Sequence, residues 1–184
     1  DQEIKNLESY TRSLIPTAVF GVTDPLKFAL SAHLFDKAIY ICKDNVKAQR
    51  AQEELHALTG KTCVYLPPKD DVLLYKRAFN KESTYKRLTA LYEIEKGASF
   101  ITCTFESLLQ LFPKKVEERT YKISNEYPLG TVLKDLTKLG YSRVEFVENK
   151  GEFSLRGDIL DVYPINSDSA FRCDFFGDEL EKIR

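Results

Sequence analysis

The sequence predicts an α/β chain: a parallel sheet with helices on both faces, followed by a small antiparallel α+β domain. Three observations carry that expectation. From Thr17 to about Pro113, short β-branched runs alternate with helical periods, the order that builds a parallel sheet through helical crossovers. Beyond Pro113 a single helical period is followed only by strand-like runs. Pro25, Gly60, Pro67-Pro68, Gly97, Gly140 and Gly177 mark the ends of these runs.

Taken in order, Thr17–Val22 (TAVFGV) reads as a first strand. Asp24-Pro25 then supplies a helix N-cap and a proline at the first helical position, opening a helix to roughly Phe35. Lys37–Cys42 (KAIYIC) is a second strand. A longer helix starts near Asp44 and closes at Gly60. Cys63–Leu66 is a third strand, ended by Pro67-Pro68. A helix over about Glu82–Lys96 is closed by Gly97. Phe100–Thr104 is a fourth strand, with a short helix, Glu106–Leu111, after it. In the second half, Thr120–Ile123 (TYKI) reads as a strand and Thr131–Leu139 as a helix ended by Gly140. Strands follow at Arg143–Val147, Glu152–Leu155, Ile159–Tyr163, Phe171–Phe176 and Glu179–Ile183. Asn166–Ser169 (NSDS) makes a turn, and Gly177-Asp178 is a two-residue hairpin loop of the II′ kind. The expected domains are residues 1–115 and 116–184, the change of pattern falling near 113–121.

Composition limits the function classes. The chain has 184 residues, 43% hydrophobic and 30% charged, enough to bury a core without staples. A formal net charge of -1 provides no global basic field, so strong DNA binding is not expected of it. Cys42, Cys63, Cys103 and Cys173 form no CxxC pair, and three of them sit in apolar runs. They read as reduced, buried cysteines of a cytoplasmic protein rather than metal ligands, and His33 and His56 fall in helical stretches far from any cysteine pair. No apolar run reaches membrane-spanning length and the N-terminus lacks a signal-peptide pattern. Beginning at Asp1 and stopping on a strand-like segment, the chain reads as a piece of something longer.

A strand, turn and helix in the first unit invite comparison with the phosphate-binding GxxxxGK[ST] loop, in which backbone amides wrap phosphates and a hydroxyl holds magnesium. The stretch Gly21-Val22-Thr23-Asp24-Pro25-Leu26-Lys27-Phe28 matches at Gly21 and Lys27 only. Leu26 replaces the second glycine, Phe28 replaces the hydroxyl, Asp24 adds a negative charge and Pro25 removes an amide donor. The loop is vestigial; no cofactor, no metal and no catalytic residue is expected. Gly60-Lys61-Thr62 is a literal GKT, but Leu55 stands where its first glycine belongs and the helix precedes it. Asp158 and Asp161 suggest a carboxylate pair for acid–base chemistry, yet no further catalytic partner is visible.

The most specific block is Gly151–Pro164 (GEFSLRGDILDVYP) followed by Arg172–Glu179 (RCDFFGDE). It resembles the "GEF.VRG.I.DIFP…R.EFFGDEI" pattern shared by the excision nuclease subunit UvrB and the N-terminal module of the bacterial transcription-repair coupling factors, the Mfd family. Gly21-Val22-Thr23 looks like the start of UvrB's GVTGSGKT loop in eroded form. Tyr65-Leu66-Pro67 with Asp71–Tyr75 resembles the coupling factors' "FP…E.LPY", Lys86-Arg87-Leu88…Leu91 their "ERL..L" helix, and Gly140–Val144 their "GY.RV". The resemblance spans roughly Thr17 to Arg184. Two departures separate the chain from UvrB: the broken loop, and a stretch after the third strand too short for UvrB's tyrosine-rich DNA-clamping hairpin, with only Tyr75 and Phe79 as aromatics. The resemblance implies a module without chemistry of its own that binds UvrA and brings it to a stalled RNA polymerase. The translocase domains would lie downstream, and the full-length protein's own C-terminal region is a second candidate partner. The rivals are a UvrB-like ATP-dependent DNA-binding subunit and a generic α/β domain binding a small molecule at its strand ends.

Strand alternation locates a candidate surface independently. In Phe171–Phe176, Phe171, Cys173 and Phe175 share an apolar face, leaving Arg172, Asp174 and Phe176 on the other. Glu152, Ser154 and Arg156 alternate against Phe153 and Leu155, so Arg156 points outward too, and Gly157 permits a bulge after it. Aromatic residues and arginine are favoured at interfaces. Taken alone, Arg156 and Arg172 fit ordinary surface pairing with Asp158 or Asp174, which contributes little. The resemblance places UvrA contacts at Arg156, Arg172 and Phe176, with Asp174 beside them.

Overall fold

The computed structural model describes residues 2–13, 16–69 and 81–184. The motif residues Asp71–Tyr75 and Phe79 lie outside the described residues. The others fall into two compact units, one of residues up to 69 with Ala90–Phe112, the second of 81–89 with Pro113–Arg184.

The first unit opens with helices α1 (Gln2–Arg12) and α2 (Asp24–Leu34). The cap of α2 is Thr23, one residue earlier than expected. Asp24 therefore lies in the first turn, where its charge favours the positive end of the helix dipole. Strand β1 (Ala38–Cys42) leads to α3 (Asn45–Thr59), then β2 (Cys63–Leu66), α4 (Lys81–Glu95, in this unit from Ala90 on), β3 (Phe100–Thr104) and α5 (Phe105–Leu109). The side chain of Asp44 accepts the Lys47 amide at 2.8 Å, and Gly60 closes α3 at φ +64, a left-handed geometry that a Cβ would strain. The three strands are parallel in the order β1-β3-β2, with Ala38, Phe100 and Cys63 level across the sheet. Leu55 of α3, Cys63 and Phe100 form the buried centre, and Phe28 and Ala32 of α2 pack onto it. Complete burial of Leu55 and Phe100 contributes about 1.5–3 kcal/mol each.

Thr17–Val22 is not a strand. Phe20 is 89% exposed and the segment joins neither edge of the sheet, which β1 and β2 form on either side of β3. A β-branched run becomes a strand only where a neighbour takes its backbone hydrogen bonds.

The second unit contains α6 (Leu129–Lys138) and a five-stranded sheet in the order β4-β5-β6-β7-β8. Its strands are β4 (Ser142–Arg143), β5 (Glu152–Arg156), β6 (Ile159–Tyr163), β7 (Phe171–Phe176) and β8 (Glu179–Ile183). Three antiparallel pairings join β5 through β8, but β4 runs parallel to β5, so the sheet is mixed rather than antiparallel. The run expected over Arg143–Val147 stops at Arg143. Thr120–Ile123 is not a strand either. Tyr121 packs edge-on against Tyr127 and donates to Asp135, while Ser124–Tyr127 make the backbone bonds to Asp178 and Leu180.

One face of this sheet is the core. Phe153, Leu160, Cys173, Phe175 and Leu180 are buried with Val132 and Leu136 of α6. Of the apolar set expected from β7, Cys173 and Phe175 face the helix while half-buried Phe171 stands outside this core, and burial pushes the Cys173 thiol up to about 11. Gly157 forms no bulge: Arg156 and Ile159 pair directly, leaving Gly157-Asp158 as a two-residue hairpin loop with φ +60 at the glycine. Gly177-Asp178 repeats the device, with φ +61 at Gly177 and no positive φ at Asp178, as a II′ turn requires. The register irregularity lies instead between Asp174 and Phe175.

Candidate functional site

Two tight hairpin turns fix what stands on the open face of the second sheet. Because Arg156 pairs with Ile159, Asp161 falls opposite Ser154, and on its other side it falls opposite Arg172. Both arginines bend towards that one carboxylate. Arg172 grips it with two bonds, Nε to Oδ1 at 2.6 Å and Nη2 to Oδ2 at 2.9 Å. Arg156 donates from Nη2 to Oδ2 at 2.8 Å. The pairing expected with Asp158 or Asp174 is therefore replaced by a shared Asp161, since the register sets Asp161, not the turn residue, level with Arg172. The two-pronged grip of Arg172 holds the Asp161 carboxyl below the ordinary carboxylate range, with Arg156 adding to the effect against partial burial. The same bonds raise Arg172.

Around this centre, the Arg156 guanidinium lies 5.5 Å from the centroid of the Phe146 ring, a cation–π distance. Phe146 is steadied by its chain neighbour: buried Ser154 donates its hydroxyl to the Glu145 carbonyl at 2.8 Å. Asp174 pairs with Arg184 at 2.6 Å. Phe146, Arg156, Asp161, Phe171, Arg172 and Arg184 line an open cavity of about 540 Å³. Phe176 sits at the far end of β7, 74% exposed.

The structure thus sets Arg156 and Arg172 on one face around Asp161, with Asp174 beside Ile159 on the next row and Phe176 beyond the register shift. Asp161, Phe146 and Arg184 went unassigned as parts of this surface. For Asp161 the signal was available: reading Gly157-Asp158 as a two-residue loop counts Asp161 onto the face of Ser154. Asp158 does not join Asp161 in a carboxylate pair; it occupies the turn, where its carbonyl accepts the Phe175 amide.

The residues of the vestigial loop make contacts of their own. Gly21 has φ +73 in an exposed bend, Lys27 pairs with Asp24 at 2.9 Å, and Phe28 packs tilted against Tyr40, ring centroids 5.6 Å apart, on the first core. Gly60 of the literal GKT is the α3 cap. Among the described residues no group of three His, Cys, Asp or Glu side chains gathers as a metal site would require, and no helix is long and apolar enough to cross a membrane.

The unit that carries this surface matches a known family: residues 119–184 fit the UvrB interaction domain. The whole chain is similar to transcription-repair-coupling factors. It is 23% identical to that of Bacillus subtilis over all of this chain and 15% of that protein. With the Helicobacter pylori factor, identity is 33% over 82% of this chain and 16% of that protein. The UvrABC system protein B of Lactobacillus acidophilus is 29% identical over 65% of this chain and 18% of its own length. The chain therefore spans less than a fifth of the curated relatives it matches. Within the second unit, residues 119–184 form a UvrB interaction domain, and the chain around it is similar to the transcription-repair-coupling factors.

Proposed function

We propose that this chain is a non-catalytic adaptor of transcription-coupled nucleotide excision repair, which binds UvrA and brings it to a stalled RNA polymerase. The observation that carries the reading is the open face of the UvrB interaction domain, where Arg156 and Arg172 converge on Asp161 and exposed Phe176 follows on the same strand as Arg172. Its core face is used up against α6, so the open face is the side free to meet a partner. Arginine and aromatic anchors of this kind carry most of the energy in protein interfaces.

The damaged loop supports the absence of nucleotide chemistry. Lys27 is engaged by Asp24 and Phe28 belongs to a core, so neither serves phosphate or magnesium. Duplex DNA is expected to bind weakly, given the net charge of -1. Calorimetric titration of purified UvrA into the chain tests the proposal. Saturable binding that Arg172→Ala weakens is the expected result, and no heat at micromolar concentrations of both proteins would overturn it.

A further inference from the structure

Resting on that reading, we propose that Asp161 is the positioning residue of the interaction surface, setting the two arginines from beneath while the Phe146 ring steadies Arg156 from the side. The relative depth of the three groups is the first argument. The Asp161 side chain is only 14% exposed, whereas those of Arg156 and Arg172 are 52% and 46% exposed. A partner arriving on this face meets guanidinium groups, with the carboxylate below them.

The second argument is geometric. Arg156 and Arg172 stand on β5 and β7, which flank β6 on either side. Neighbouring strands lie about 4.8 Å apart, so the two backbones are separated by roughly 10 Å. Long, like-charged side chains at that spacing would otherwise spread into solvent. Here both reach inward over β6, and Oδ2 of Asp161 accepts from both. Each guanidinium has five N–H donors. Arg172 spends two on Asp161 and Arg156 spends one, leaving the remaining edges available. Two cations around one anion stay net positive, so the carboxylate orders the arginines without cancelling them. Ordering before contact lowers the entropic cost of binding.

A carboxylate among arginines could do the opposite and compete with the partner for their donors. The two roles differ in sign, which makes the test sharp. UvrA affinity and melting temperature are measured for the 184-residue chain, Asp161→Asn, Arg172→Ala and the double variant. Positioning predicts that Asp161→Asn weakens binding about tenfold or more, and by much less once Arg172 is already alanine, since coupled residues are not additive. Unchanged or tighter binding by Asp161→Asn while Arg172→Ala weakens it would overturn the positioning role and leave the UvrA-binding reading standing. No effect of Arg172→Ala would instead remove the surface from that reading, and the positioning role with it. Should Asp161→Asn fail to fold, Phe146→Ala is the second probe, as its ring is 61% exposed. Its weakening should vanish in an Arg156→Ala background; an unchanged affinity for Phe146→Ala would count against the proposal.

Discussion

Replacing Phe176 with alanine separates a binding residue from a folding one, because the structure fixes how little the fold can lose. Burying a phenylalanine fully is worth about 1.5–3 kcal/mol. With 74% of Phe176 in solvent, only about a quarter of that is available, roughly 0.4–0.8 kcal/mol. That is close to the ~0.5 kcal/mol typical of surface substitutions. Phe153, on the core face of the same sheet and 2% exposed, is the internal control; its truncation to alanine should cost about 3–5 kcal/mol. If Phe176 is a hot spot, UvrA affinity should fall by about 2 kcal/mol or more, roughly thirtyfold. Denaturant unfolding supplies the first quantity and calorimetric titration the second. A Phe176→Ala chain that loses stability as Phe153→Ala does, yet binds UvrA with undiminished affinity per folded molecule, would refute the reasoning, since Phe176 would then be a core residue.

Millimolar Mg-ATP should leave the melting temperature unchanged. A nucleotide held at 100 times its dissociation constant would add about 2.7 kcal/mol, an unmistakable rise in a thermal scan. Asp161, whose folded carboxyl is held below its unfolded value near about 3.9, stabilises the fold above that pH and loses the contribution as pH falls through the folded pKa. The stability gap between the native chain and Asp161→Asn should therefore be flat from neutrality down to about pH 5 and shrink below about pH 4, as acid unfolding curves would show. Gly151→Ala should destabilise by about 1–3 kcal/mol, because φ is +79 there and an added Cβ would collide with the Tyr85 hydroxyl. Denaturant unfolding of that variant with and without Tyr85→Ala should show the second change recovering the steric part of the loss and not the backbone part.

How much was legible follows from where the information sits. Helix α3 was readable because its limits are local: Asp44 caps one end through its own side chain and Gly60 closes the other in a conformation suited to glycine. The split of β7 into Cys173 and Phe175 against Arg172 and Asp174 was readable because a two-residue period survives without knowledge of neighbours, whereas Phe171, at the start of the strand, lies outside the core and lines the open cavity. Thr17–Val22 and Thr120–Ile123 have equally strand-like residues, but strand formation depends on a partner that may be distant in sequence, and neither run meets one. The parallel placement of β4 was hidden for the same reason. The Arg156–Asp161–Arg172 cluster lay between the two cases. Its residues were plain to see, but their grouping depended on Gly157 serving as a turn rather than a bulge, and a one-residue difference there moves Asp161 to the opposite face.

That sensitivity bears on how the domain can carry the proposed binding surface and a fold on the same strands. In β5, β6 and β7 Phe153, Leu160, Cys173 and Phe175 belong to the α6 core, and Arg156, Asp161 and Arg172, from alternate positions on the same three strands, meet at the arginine cluster. The core side chains and the turn glycines at 157 and 177 set the register, and the register brings Arg172 level with Asp161. The cluster returns little to the fold, since its two arginines stay about half exposed and ion pairs with solvent-exposed partners are worth about 1 kcal/mol or less. The dependence therefore runs one way. Changes on the open face can alter what the domain binds while leaving the register intact, whereas a change that shifts the β5–β6 turn by one residue would turn Asp161 towards the core and disperse the surface without touching any of its residues.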